Sequence, residues 1–230
     1  MSATEISPPT FLKSVTFHGL HPGPKLLITG AVHGNELAGT KAIEQTIRDL
    51  EEGHITLSRG TLTLVPRTNP LAVAQGTRMG DRNLNRNMGV KAIPQDFEDR
   101  VSNVLCPILE DHDVLLDLHS FHSPGKPFVL VGPADNDGDL EPFQHHQQEM
   151  ALAIHVGPYR ILRGWLDVYS KGVQRRQAEA RTMGLESDPN YGVGTTEYMR
   201  ARGEQTLTLT LTLTLTPMNT NPTTPTPTPT

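Results

Sequence analysis

Short apolar runs alternate with amphipathic segments through most of this chain, and that alternation is what most limits its fold. Residues 25–34, KLLITGAVHG, form an apolar run that ends at glycines, which suits a buried strand. Residues 35–53 follow with Leu37, Ala42, Ile43, Ile47 and Leu50 near helical spacing, and Gly53 suits the helix C-terminus. Residues 60–70 read as a second strand, stopped at Asn69-Pro70. Residues 94–112 form a helix that Pro107 is expected to kink or end. Residues 113–120, DVLLDLHS, and 126–133, KPFVLVGP, are strand-like again. Further helices are expected over 135–155, 171–184 and 194–203, the last with Thr195 or Thr196 near its N-terminus. Strands alternating with helices predict an α/β fold, with a mixed, largely parallel sheet flanked by helices. In such sheets the loops leaving the carboxyl ends of the strands build the site.

A length of 230 residues allows one sizeable core or at most two small ones. The net charge of −5, with no dense Lys/Arg run, argues against a nucleic-acid partner. No apolar run approaches membrane-spanning length, so no membrane partner is expected. The first residues, MSATEISPPTFLKS, lack the basic start and apolar stretch of a secretory signal. The single cysteine, Cys106, can form no internal disulfide and reads as a core residue in a reducing compartment. A cytoplasmic location is the resulting expectation, and the sequence leaves the oligomeric state open.

Two strand ends carry chemistry. After the first run, His33 and Glu36 are three residues apart at the start of a helix, a spacing that turns an imidazole and a carboxylate toward one point, as two zinc ligands require. Alone the pair is weak, because a solvated helix start with Glu36 against the dipole looks the same. His119 ends another apolar run in the equivalent place, which completes a two-histidine, one-glutamate set with a fourth zinc position left open. Asp117 is placed to hold one of these ligands from behind. His122 reads as a loop residue and His145 and His146 as solvated, while His18, His21, His54, His112 and His155 have no evident partner. The loop over 75–89 brings Arg78, Arg82 and Arg86 close together with Asn83, Asn85 and Asn87 between them. It is either an exposed polar loop or an anion clamp beside the metal.

Four segments occur here in a telling order: HGNE with His33 and Glu36, the 68–78 stretch from TNPLAV to TR, NLNR at 83–86 and DLHS at 117–120. Together they resemble the succinylglutamate desuccinylase/aspartoacylase family of zinc carboxypeptidase-like hydrolases, over roughly residues 26–203. The resemblance implies one zinc ion held by His33, Glu36 and His119. It implies that Arg78 polarises the scissile carbonyl, that Asn85 and Arg86 bind a substrate carboxylate, and that Arg200 grips the carboxylate on the acyl side. The implied reaction is hydrolysis of a small N-acyl amino acid, with a glutamate outside the metal shell carrying the proton.

In that family the glutamate follows about ten residues after the arginine matched by Arg200, and here that place is Thr210. No Asp or Glu occurs after Glu204. Glu197 and Glu204 are the two stand-in bases nearby, with Glu197 carried as the weak candidate, although both also read as ordinary exposed carboxylates. The chain accordingly divides into a catalytic domain over 1–203, incomplete at its C-terminal end, a Thr-Leu repeat over 204–216 suited to an edge strand, and a disordered Thr/Pro tail over 217–230. Perfect dipeptide alternation points to a translated tandem DNA repeat, so the chain is expected to be a truncated or frameshifted member. The alternatives are a carboxypeptidase-like metallopeptidase and a catalytically inactive fragment that binds zinc or another ligand.

Overall fold

The computed structural model describes residues 9–121, 127–131, 141–154, 160–162, 178–179, 181–183, 193–195, 198–199 and 207–214. Its elements in chain order are β1 (Val15–His18), β2 (Lys25–Gly30), α1 (Leu37–Glu51), β3 (Thr61–Val65), α2 (Pro70–Gln75), α3 (Phe97–Glu110), β4 (Val114–Phe121), β5 (Phe128–Leu130), α4 (Glu141–Ala153), β6 (Arg160–Leu162) and β7 (Leu207–Thr214). The strands form one sheet in the order β1-β3-β2-β4-β7-β5-β6. β1·β3 and β5·β7 run antiparallel, and the other neighbours are parallel. The mixed, largely parallel sheet read from the alternation is therefore the one that forms.

Both faces of β2 and β4 are covered, which is why their apolar runs, LLI and VLL, do not alternate with polar residues. On one face Ile43 of α1 packs with Leu62, Leu64 and Leu118. On the other, Leu27, Val65 and Leu115 meet Leu105, Cys106 and Leu109 of α3, together with Leu84, Val193, Tyr198 and Met199. Cys106 is fully buried, as its helical setting suggested. A smaller cluster of Val129, Val131 and Ala151 lies under β5 and α4. From β2 the chain goes to β3 on one side and, after α2 and α3, returns as β4 on the other. The carboxyl ends of β2 and β4 thus flank a topological switch point, where open α/β sheets place their ligands.

Several elements differ from expectation. β1 and β6 are too short for their periodicity to show, and each forms because a neighbouring strand offers a ladder. α2 begins where Asn69-Pro70 was read only as a stop: Pro70 takes the first helical position, where no N–H is needed, and the Asn69 side chain accepts from Ala72 N. α3 runs three residues past Pro107, because the ring lies in the last turn and fully buried Leu109 keeps that turn on the core. His112 is not partnerless: its ring nitrogens lie 2.6 Å from Ile108 O and 2.8 Å from Thr63 Oγ1. His54 lies near Asp49 and Glu52, and His18 near Thr61 Oγ1. The Thr-Leu segment is not an edge strand, since β7 sits inside the sheet between β4 and β5. Its register sets Thr210 beside Asp117 and Thr212 beside His119. Of the helix expected over 171–184, residues 178–179 and 181–183 are described; 178–179 and 181–182 are helical and Met183 is in a turn. Among the described residues no helix is long and apolar enough to cross a membrane.

Candidate metal centre

The chain leaves β2 through Ala31, which is fully buried and holds the unusual φ of +51°. That turn delivers His33 below the start of α1, where Glu36 is the last residue before the first helical turn. Gly34 makes the turn tight: a Cβ there would lie 2.1 Å from the backbone carbon of Ala72. His119 comes from β4, on the same face as Asp117 because strand side chains alternate. The ligand atoms of His33, Glu36 and His119 all lie within 4.8 Å of one another. Sequence-distant residues at two strand ends are thereby brought to one point.

The contacts say which atoms face that point. His119 places Nε2 3.0 Å from Asp117 Oδ2 and Nδ1 3.0 Å from Glu36 Oε2. The other oxygen of Glu36 lies 2.9 Å from His33 Nδ1. That approach lacks the alignment of a hydrogen bond, and neither ring nitrogen of buried His33 has a hydrogen-bond partner. Two buried nitrogens without partners are costly unless something satisfies them. Two imidazole nitrogens and a carboxylate converging in this way fit a zinc ion. The backbone N–H of Ser120 also donates to Glu36 Oε2, 3.0 Å away, and fixes the carboxylate further.

The electrostatics follow from burial and charge together. Burial alone would raise the Glu36 carboxyl, but the hydrogen bond from His119 and the closeness of both imidazoles, His119 and His33, outweigh it and hold the group far below the usual carboxylate range. Burial raises Asp117 as well, and it is overcome by the His119 charge and by hydrogen bonds from His119, Thr29 and Thr195, so Asp117 stays ionised. Burial would lower His119, yet Asp117 and then Glu36 push it up to about 10. Two buried carboxylates thus favour positive charge between them.

Arg78 lies at the rim, half exposed, with Nη1 2.6 Å from Glu36 Oε1. Its carbonyl accepts from Gly34 N, which ties the arginine loop to the histidine turn. Arg82 is not part of an anion clamp, because its guanidinium is taken up by Asp96 and Asp99, each at 2.7 Å, and by the carbonyls of Asn83 and Arg86. Arg86 donates through Nη1 to Asn85 O. Asn85 accepts through Oδ1 from Thr195 N at 2.9 Å. The loop as a whole is anchored by fully buried Glu98, which accepts from Asn69 Nδ2, Gly80 N and Arg82 N. Glu197, Arg200 and His122 lie outside the described residues. Sequence reasoning missed Thr29, Thr195 and Glu98. Thr29 carried a faint signal as the polar residue in LLIT, opposite Asp117 in the parallel register, whereas Thr195 and Glu98 carried none.

Comparison with known proteins points to one family. Residues 22–124 match the family described as the succinylglutamate desuccinylase/aspartoacylase catalytic domain. The chain is 33% identical over 164 residues to the N-alpha-acetyl-L-2,4-diaminobutyric acid deacetylase of Halomonas elongata, covering 67% of this chain and 45% of that protein. It is 27% identical over 143 residues to mouse (Mus musculus) aspartoacylase, covering 56% of this chain and 45% of the relative. The fold superposes on a succinylglutamate desuccinylase/aspartoacylase structure from Rhodobacter sphaeroides with a TM-score of 0.64 at 20% identity, covering 88% of this chain and 51% of that one. The chain spans about half the length of the relatives it matches. The HGNE and DLHS segments, brought to one centre, both lie inside the residues that match the succinylglutamate desuccinylase/aspartoacylase catalytic domain.

Proposed function

We propose that this chain is a hydrolase of small N-acyl amino acids whose single zinc ion is held by His33, Glu36 and His119. The observation that carries the proposal is the convergence of those three ligands, with both nitrogens of buried His33 lacking hydrogen bonds. Zinc bound there would supply the Lewis acidity that amide hydrolysis needs. The protein's own groups do the rest. Arg78, half exposed beside Glu36, is placed to meet the substrate carbonyl oxygen and to balance the negative charge that grows on it. Asn85 is oriented by Thr195 so that its oxygen is occupied and its amide N–H groups are the ones left to offer a carboxylate. With Arg86 it forms the proposed carboxylate subsite, and Arg200 is the proposed partner for a carboxylate on the acyl side. Glu197 is the proposed proton carrier.

One observation favours a second reading, a centre that binds metal and ligand but turns over poorly. The strand beside Asp117 and His119 is the Thr-Leu repeat, and it brings Thr210 and Thr212, not an acid, alongside them. A threonine hydroxyl does not ionise near neutral pH, and loss of a positioned acid/base costs about 10²–10⁴-fold in rate. Zinc content and amine release from N-acetyl and N-succinyl amino acids, measured beside C-terminal cleavage of short peptides, separate these readings. One zinc per chain with release of the amino acid supports the deacylase. One zinc without turnover supports the inert centre, and peptide cleavage supports a metallopeptidase. Absence of zinc in the folded chain, or equal zinc binding by His33→Ala, overturns the metal assignment.

A further inference from the structure

Thr195 touches both halves of the proposed site, although it lies 110 residues from Asn85 and 78 from Asp117 along the chain. It is completely buried. Its backbone N–H donates to Asn85 Oδ1 at 2.9 Å. Its hydroxyl lies 2.8 Å from Asp117 Oδ2 and 3.3 Å from Asn85 Oδ1. A hydroxyl has one proton to give, and the nearer, ionised carboxylate takes it.

Asp117 is the hinge of the arrangement. Its Oδ1 accepts from Thr29 Oγ1 at 2.7 Å, and its Oδ2 accepts from Thr195 and faces His119 Nε2. The carboxylate is thus pinned from β2 by one hydroxyl and from the 193–195 segment by another. Pinned in that plane, it holds Nε2 of His119 and leaves Nδ1 directed at Glu36. A ligand imidazole whose second nitrogen is fixed in this way keeps its ring orientation and its basicity. The same residue sets the Asn85 amide: with Oδ1 committed to the Thr195 N–H, the flipped orientation would set NH₂ against N–H.

We propose that Thr195 is a positioning residue for the metal centre, acting on His119 through Asp117 while its backbone fixes the Asn85 amide. The inference rests on the zinc reading above and extends it to a residue in the segment before the repeat. It makes zinc affinity depend on a hydroxyl that does not touch the metal.

The test measures zinc dissociation constants by chelator competition on folded, purified chains at one pH. Thr195→Val keeps the shape and the backbone N–H but removes the hydroxyl, and it is expected to weaken zinc binding about 10–100-fold. Thr195→Ser keeps the hydroxyl and is expected to stay within about threefold of the wild type, on the same principle. Thr40→Val removes another buried hydroxyl, one that donates to Pro66 O at 2.6 Å on α1, and is expected to leave zinc affinity unchanged. Should the valine variant fail to fold, Thr195→Ala makes the same comparison with a smaller side chain. Wild-type affinity in the folded valine or alanine variant overturns the inference while the zinc reading stands. So does a serine variant as weak as the valine one, or a Thr40→Val variant that loses zinc equally. No zinc on the wild type overturns the reading beneath it instead.

Discussion

At the scale of single residues, the site depends on positions that hold no ligand. Gly34 is one, because its turn passes so close to α2 that a Cβ would sit 2.1 Å from Ala72 C and 2.3 Å from Val73 N. Both are backbone atoms and cannot swing aside, so Gly34→Ala must displace the His33 turn or α2. A loss of about 3 kcal/mol or more is expected, at the upper end of overpacking costs. Gly76 is the contrast: it ends α2 at φ +66° with open space around it, so Gly76→Ala should cost only about 1–2 kcal/mol of left-handed strain. Urea midpoints of the two variants check the order, and an equal loss would show that the close packing at Gly34 is unimportant. Asp99 supports the arginine loop by accepting from Gln95 N at 2.9 Å and Arg82 Nη2 at 2.7 Å. Burial is the largest single influence and raises its carboxyl, but the hydrogen bonds from Gln95 and Arg82 and the charges of Arg82 and Lys91 together hold it below the usual value. A carboxyl lowered in the folded state contributes stability above its unfolded pKa of about 3.9 and loses it as pH falls through the folded value. Asp99→Asn should therefore cost about 1.5–3 kcal/mol at pH 7 and progressively less below about pH 4. Denaturation curves at pH 7 and pH 3.5 test the sign, and a gap that widens in acid would refute it.

At the scale of elements, legibility tracked how local the cause was. β2, α1 and β4 were readable because an apolar run or a helical stripe is written in consecutive residues, and His33, Glu36 and His119 were readable because each sits at the end of such a run. β1 and α2 were not, since four residues of strand and six of helix carry too little periodicity and form through a neighbour's ladder or a cap. The partners of Asp117 were illegible for the same reason: Thr29 and Thr195 reach it from 88 and 78 residues away. The Thr-Leu repeat shows the limit from the other side, because its strand character is obvious but its place is not. Alternation alone cannot distinguish an edge from an interior position, and β7 took the interior slot between β4 and β5. A repeat of period two also leaves its register unspecified in steps of two, whereas a one-residue slip reverses every side chain. Deleting Leu209 and Thr210 together should therefore leave the urea midpoint close to wild type, while deleting Thr210 alone should lower it clearly. Equal effects from the two deletions would show that the repeat does not pair as a strand.

At the scale of the whole molecule, the candidate metal centre joins parts of the sheet that the chain connects only at a distance. His33 and Glu36 belong to the β2-to-α1 turn, His119 to β4, and Asp117 behind them draws in the 193–195 segment. Without an ion, His33 is left with two buried nitrogens lacking hydrogen bonds, and two carboxylates crowd one imidazole. An ion that binds the folded chain and not the unfolded one stabilises it by linkage, about 2.7 kcal/mol at a free concentration one hundred times the dissociation constant. For a chain of this size that corresponds to a rise in Tm of roughly 5–10 °C. Thermal unfolding followed with increasing zinc should show Tm climbing with the logarithm of free zinc and returning to its starting value with excess chelator. His119→Ala keeps Asp117 and Glu36 in place but removes a ligand, so its Tm should respond to zinc far less. The contrast with His119→Ala tests the geometry, because a site whose ligands come from two strand ends is complete only in the folded chain and loses affinity when either end is removed. A folded wild-type chain whose Tm ignores zinc, or a His119→Ala chain that gains as much as the wild type, would mean that the three ligands do not act as one centre.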